Sequence, residues 1–379
     1  MIKILDSKIL LRKIKFSIFK HMARKKIKVA IVYNEPSPDL YVKAGELDEK
    51  KIDFVPYFEV EDITPIEEYE IMSKKLRKSG INAYTLNIKD DIQSLLRDVK
   101  KNKPDLIFNF VEIYREDSRH EMNIVGLLEL LRIPFTGAPP MALANCQSKI
   151  FTKRLLNAIG IKTPRFIILK KTPKAYRHRL KYPLIIKPAY EDASVGIENE
   201  SIVENVEGLK ERTEYIFKYF AQPALIEEFI EGRELNVAVL GDLEPVALPI
   251  SEIDFTEMPD HLHNIVSYQA KWDPHHESYH KTIPICPAKL PKRIEKKVKE
   301  TALKAFKAMS CRDYARVDMR LAKDNQLYVL EVNPNPDLTE GAGFMRSAES
   351  SGLNYVETLK RIINLAKERA ERRGNSLLN

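Results

Sequence analysis

The sequence predicts an α/β protein: a doubly wound parallel sheet at the amino end, then two further α/β units. Three observations carry that expectation. Short apolar runs alternate with helix-period segments between Lys28 and Gly137, the pattern of strands joined by crossover helices. From Ala224 onward the pattern changes to longer strands, which marks a different layer. The 379 residues suffice for two or three domains at roughly 100–200 residues each.

Taken in order, Lys28–Tyr33 is a buried strand that ends in Asn34-Glu35-Pro36-Ser37-Pro38. A helix over about 66–79 is stopped by Gly80, and a strand follows near Ala83–Ile88. A helix near 91–101 leads through Pro104 to the strand Asp105–Val111, then a helix over about 119–132 and a strand at Ile133–Gly137. Ligands in such a sheet sit at the carboxyl ends of strands, here near Asn34-Glu35 and Glu112. The second unit starts at Ala138 and holds the helix Lys149–Ala158, strands at Arg165–Leu169 and Leu184–Lys187, and a helix near 205–220. The third holds strands at Ala224–Ile230, Leu235–Leu240, Val246–Ile250, Tyr314–Leu321 and Leu327–Val332, with helices over about 291–309 and 354–372. The expected division is therefore 1–27, 28–137, 138–223 and 224–379.

Composition excludes several classes. Hydrophobic residues make up 44% and charged residues 31%, ordinary values for a globular protein with real cores. No apolar run reaches the ~18 residues that cross a bilayer. Three widely spaced cysteines, Cys146, Cys286 and Cys311, make neither a disulfide framework nor a zinc ribbon, and the expected compartment is the cytoplasm. The net charge of +8 is a property of the tail. Residues 1–28 carry ten basic side chains against Asp6 alone, so the remainder is close to neutral and no nucleic-acid partner is expected. Ile4, Leu11, Ile14, Ile18 and Met22 recur at helical spacing within that tail. It reads foremost as a helix packed on the body; weak contact with an anionic membrane surface through residues 1–27 and a natural start at Met22 are the alternatives.

The stretch Tyr314–Leu321, the loop beyond it and Leu327–Pro334 carry the chemistry. Period-two alternation puts Arg316, Asp318 and Arg320 on one strand face, and Glu331 and Asn333 on one face of the next. Taken as a hairpin with residues 323–326 as its loop and Ala322 opposite Leu327, the register sets Asp318 against Glu331 and Arg316 against Asn333. Two close carboxylates repel unless something neutralises them. An Asp, Glu and Asn oxygen set suits Mg²⁺, and a solvated face whose acids meet arginines is the competing reading.

These residues resemble the metal-binding signature of the ATP-grasp superfamily, most closely its D-alanine–D-alanine ligase branch, and the resemblance runs from about Asp105 to Ala366. It implies the ATP-grasp fold, with two α/β subdomains sandwiching ATP. It also implies two Mg²⁺ ions (replaceable by Mn²⁺) on Asp318, Glu331 and Asn333, and Arg316 against substrate carboxylate and developing charge. By the same resemblance Lys149 and Lys187 meet phosphates, and the loop Tyr190–Gly196 with Ser194 covers them. Glu227, Glu228 and Ile230 lie along adenine, and Glu234 meets ribose. Phe255–Lys281 is similar to a mobile lid with Tyr268-Gln269-Ala270-Lys271-Trp272 at its core. Lys271 then counts among the nucleotide contacts. Five of the eight histidines, His261, His263, His275, His276 and His280, fall in this stretch. Their spacing is not a zinc pattern, so they read as polar lid residues.

The chain also departs from that branch. Tyr33–Pro38 stands where a glycine-rich turn with an amine-binding Glu is usual, and Glu35 is the candidate substitute. Ala193 replaces a serine, although Ser194 matches its neighbour. Pro336–Gly343 replaces a serine-rich carboxylate-binding segment, and the gain of Glu340 suits a basic or polar nucleophile better than a carboxylate. The expected enzyme is an ATP-dependent carboxylate–amine ligase with small-molecule acid and amine substrates (amino acids or short peptides), with a homodimer as the expected assembly. The alternatives are true D-alanine–D-alanine ligation and a non-catalytic ATP-binding module.

Overall fold

Alternating residues of the first strand, β1 (Lys28–Tyr33), feed two different cores. Val29 and Ile31 pack with Met72 and Leu76, whereas Ala30 and Val32 pack with Leu95 and Val125. A strand buried on both faces needs helices on both sides. The computed structural model describes residues 26–36 and 64–376. The basic amphipathic segment and the Met22 start lie outside them. Helix α1 (Pro65–Lys78) opens on a Thr64–Glu67 capping box. It leads to β2 (Asn82–Asn87), α2 (Ile92–Asn102), β3 (Leu106–Phe110) and α3 (Glu121–Leu130). The strands form a parallel sheet in the order β2-β1-β3, and the expected strand at 133–137 shrinks to one parallel bridge, Ile107 to Phe135. Helices α4 (Pro140–Gln147) and α5 (Lys149–Ala158) follow.

The central layer is a four-stranded antiparallel sheet of β4 (Phe166–Leu169), β5 (Leu184–Pro188), β6 (Ile202–Val203) and β7 (Ala224–Glu228) in the order β4-β7-β5-β6. One face, Leu184, Ile186 and Ile226, is covered by Leu209 and Ile216 of α6 (Val206–Phe220). The other face carries Lys187 and Glu227 toward a cleft. Because β7 pairs with β4 and β5, this layer runs on to Glu228 rather than ending at residue 223. Leu156 of α5 packs instead in the core shared with Val317 and Val329, so the helices of 140–158 sit against the carboxy-terminal half.

That half is a sheet of β8 (Gly232–Gly241), β9 (Val246–Ala247), β10 (Ser251–Asp254), β11 (Ile283–Ile285), β12 (Asp313–Ala322) and β13 (Leu327–Pro334), ordered β11-β10-β8-β12-β13 with β9 beside β8. Between β10 and β11 lies the lid, with short helices α7 (Tyr268–Trp272) and α8 (Glu277–Lys281). Odd-numbered residues of β12 and β8 pack with Val298, Ala302 and Phe306 of α9 (Lys292–Ala308). Even-numbered residues face the other way. Tyr314 and Leu240 meet Phe344 of α10 (Gly343–Ser350) and Ile362 of α11 (Tyr355–Ser376). Further along, the same face opens into the cleft.

A buried clasp fixes the first sheet to β12 and β13. The Gly137 N–H donates to Asp313 Oδ2 at 2.8 Å, and the Ala138 N–H to Asn335 Oδ1 at 2.8 Å. Arg369 pairs with Asp313. Gly137 is held at φ +91°, and a Cβ there would fall 2.2 Å from Asn335 Oδ1, so no other residue fits that turn. Among the described residues no helix is long and apolar enough to cross a membrane.

Candidate active site

Asp318 lies opposite Glu331 and Arg316 opposite Asn333 across β12 and β13, as the alternation predicts. The turn end differs from the expected register: Leu321, not Ala322, pairs with Leu327. Ala322 to Asn325 closes the turn with Asn325 at φ +60°, and the one-residue slip is taken up by a bulge at Leu330 between Val329 and Glu331. Were Leu330 paired regularly instead of bulged, Glu331 and Asn333 would share a face with Val317, in the core.

The convergence is close. The Asn333 amide donates to Asp318 Oδ2 at 2.8 Å and to Glu331 Oε1 at 3.2 Å. Arg316 grips Asp318 through two bonds, at 2.8 and 2.7 Å. Asn236 of β8, directly across from Asp318, adds a third contact at 2.8 Å. One amide nitrogen thus sits between both carboxylates, in the place a cation would neutralise them. Rotating that amide presents an oxygen, which completes an Asp, Glu, Asn donor set of the type Mg²⁺ takes. The residues fit the ion.

Cations face this set from the other side of the cleft. Lys149, at the first position of α5, places Nζ 3.8 Å from Glu331 Oε2 and 3.0 Å from Asp192 Oδ1. Burial opposes its charge, but Asp192 and Glu331 overcome that and raise its pKa. Glu331 responds in kind: burial pushes its carboxyl up, yet Lys149, Lys187 and Arg316 bring it down to about 2. Lys187 lies 3.2 Å from Glu227 Oε2, and Lys153, one turn along from Lys149, lies 2.6 Å from Glu227 Oε1. Glu227 is 1% exposed and its pKa is lowered, the two lysines outweighing burial. Two ammonium groups sharing one carboxylate leave a positive surplus facing the cleft, which suits a polyphosphate.

The loop Tyr190–Gly196, expected to cover phosphates, packs against the segment expected to form the lid. Ser194 Oγ donates to Val266 O at 2.8 Å and Trp272 Nε1 to Ala193 O at 2.9 Å, while the Tyr268 N–H reaches Ile197 O at 2.7 Å. Lys271 looks down on the carboxylates. Burial and Arg316 lower its pKa while Glu331 and Asp318 pull the other way. Glu234 faces the cleft in an ion pair with Arg320 at 2.8 Å. The Glu228 carboxylate is engaged by Arg165 at 3.1 Å and the Lys181 N–H at 2.9 Å. Ile230, at the β7–β8 turn, is half-buried. At the cleft mouth Glu112 follows β3. Loss of solvation there raises its carboxyl to about 7, and Asp337 adds to that.

Sequence reasoning missed Lys153, Asn236 and Arg320 as members of the site. Extending the alternation of β8 past Glu234 would have reached Asn236, and the four-residue step from Lys149 would have reached Lys153. The lid histidines do not converge on a metal. His261 pairs with Glu277 at 3.1 Å and His280 with Pro274 O at 2.9 Å. Among the described residues no three His, Cys, Asp or Glu side chains are arranged to hold an ion.

Comparison with known proteins agrees with this geometry. A family model described as D-ala D-ala ligase C-terminus matches residues 155–364. The D-alanine–D-alanine ligase of Carboxydothermus hydrogenoformans is 32% identical over 308 residues, covering 78% of this chain and 91% of that one. Its counterpart in Aquifex aeolicus is 31% identical over 294 residues, covering 77% and 92%. Among solved structures, Bacillus anthracis D-alanine–D-alanine ligase complexed with ATP superposes with a TM-score of 0.65 at 21% identity, over 92% of this chain and 99% of that chain. The chain belongs to the D-alanine–D-alanine ligase family and is an ATP-dependent ligase of C–N bonds on the ATP-grasp fold.

Proposed function

We propose that this enzyme joins a carboxylate to an amine through an acyl-phosphate, with two Mg²⁺ ions held by Asp318, Glu331 and Asn333. The observation that supports it most is the convergence of those three side chains opposite Lys149 and Lys187. Bound there, the ions supply charge neutralisation at the triphosphate. Everything else falls to the chain's own groups. Lys149 and Lys187 hold phosphate oxygens, Ser194 and its loop cover them, and Glu227, Glu228, Ile230 and Glu234 frame the nucleoside with Lys271 closing from the lid. The acceptor carboxylate attacks the γ-phosphorus and the bond to ADP breaks. The amine nitrogen then attacks the acyl carbon, phosphate leaves, and the ammonium proton passes to phosphate or water. Arg316 stabilises the oxyanion, since a guanidinium stays charged throughout.

The acidic mouth formed by Glu35, Glu112 and Asp337 suits a substrate bearing an ammonium group. A panel of amino acids and short peptides, scored by ADP and phosphate release with products identified by mass, tests the reading. Asp318→Ala and Glu331→Ala should abolish ADP formation in folded protein; turnover surviving either change would refute the metal assignment. D-alanine belongs in the panel, because the named relatives are D-alanine–D-alanine ligases, and D-alanyl-D-alanine as product would identify the substrate outright.

A further inference from the structure

Arg320 is 3% exposed, and a guanidinium so deeply placed must have every donor and both faces accounted for. It stands directly across from Glu234 in the β8–β12 ladder and pairs with Glu234 Oε2 at 2.8 Å. Nη1 donates to Gly232 O at 2.9 Å, where β8 begins, and Nη2 donates to Asn264 O of the lid at 2.5 Å. Its planar group lies 5.6 Å from the ring centre of Phe229, which follows the β7 strand, and 5.5 Å from that of Phe255 at the root of the lid. One side chain therefore touches the nucleoside wall, the acid beside it and the lid.

The lid segment it holds is pinned on its far side to the phosphate loop. The His263 N–H donates to Asn199 Oδ1 at 2.8 Å, and Val266 O accepts from Ser194 at 2.8 Å. Residues 263–268 bridge the two walls of the cleft, with Arg320 as an anchor on the β12 side.

We propose that Arg320 is a positioning residue that makes nucleotide seating and lid closure a single event. By engaging Oε2 it turns the other oxygen of Glu234 toward the cleft for a ribose hydroxyl, and through Asn264 it keeps the lid on the same wall. An arginine is required because a lysine ammonium cannot span a carboxylate and two carbonyls in fixed directions. The inference rests on the reading of Glu234 as the ribose contact, and the experiment separates the two.

Arg320→Met, Arg320→Lys and Glu234→Gln are compared in the full-length enzyme by ATP kinetics and by the emission of Trp272, the only tryptophan in the chain. Arg320→Met should raise KM for ATP about 10- to 100-fold, far more than it lowers kcat. It should also shift Trp272 emission to the red without ATP, because the lid loosens. Arg320→Lys, which keeps the charge and protects the fold, should fall between it and wild type in both readouts. Glu234→Gln should raise KM for ATP and leave the emission in place. A Glu234→Gln enzyme with unchanged KM would remove the ribose reading. Changed KM in Glu234→Gln beside unchanged KM or emission in both arginine variants would overturn the role of Arg320.

Discussion

Glu331 faces Asp318 because Leu330 is left out of the ladder between them. The bulge moves every later residue of β13 to the opposite face, which takes Glu331 and Asn333 out of the core and into the cleft. Inserting one alanine between Leu330 and Glu331 should carry both side chains to the Val317 face. The expected result is turnover reduced by at least ~100-fold, as for loss of a metal-positioning shell, with a lowered unfolding midpoint because two polar groups become buried. ADP release and thermal melts of the insertion variant check this.

Glu227 is the common counter-ion of Lys153 and Lys187. Neutralising it as Glu227→Gln takes away the carboxylate that the buried Lys153 and the part-buried Lys187 both contact. Removing one member of such a group typically costs 3–5 kcal/mol, so a loss of about 3 kcal/mol is expected in urea unfolding. A change below about 1 kcal/mol would mean the lysines find other partners.

Glu112 gives a pH dependence with a defined sign. Partial loss of solvation in the cleft and then Asp337 raise its carboxyl to about 7, against an ordinary 4.5, although the residue keeps solvent exposure at the cleft mouth. As pH rises, the unfolded chain ionises from about 4.5 while the native group stays protonated until near 7, so stability falls across that window and levels off above it. Water at the cleft mouth screens these charges and keeps the effect modest. Melting curves from pH 4 to 8 should show Glu112→Gln losing less stability than wild type; parallel curves would contradict the assignment.

Much of this was readable in advance where local pattern decides. The buried run of β1, the spans of helices α1 and α5, and the period-two faces of β12 and β13 follow from side-chain chemistry alone. The register at Asp318 was reached through the wrong turn pair, since nothing local marks Leu330 as a bulge. Helix α4 was missed because Pro140–Gln147 has almost no polar–apolar periodicity, being packed among α3, α5 and β13. Lys153, Asn236 and Arg320 escaped for a different reason. Each acts through a partner 70 or more residues away, at Glu227, Asp318 and Glu234, and such pairings exist only once the sheets have stacked. The placement of β7 in the central layer is likewise a tertiary choice, for its sequence suits either sheet.

Titration calorimetry with ATP and Mg²⁺ tests the central claim most directly, comparing the wild-type chain with Asp318→Asn and Glu331→Gln at matched fold by circular dichroism. Wild type should take up the magnesium nucleotide, and each variant should bind it ~100-fold more weakly or not at all. Equal affinity in all three proteins would show that the carboxylates of β12 and β13 do not hold the metal.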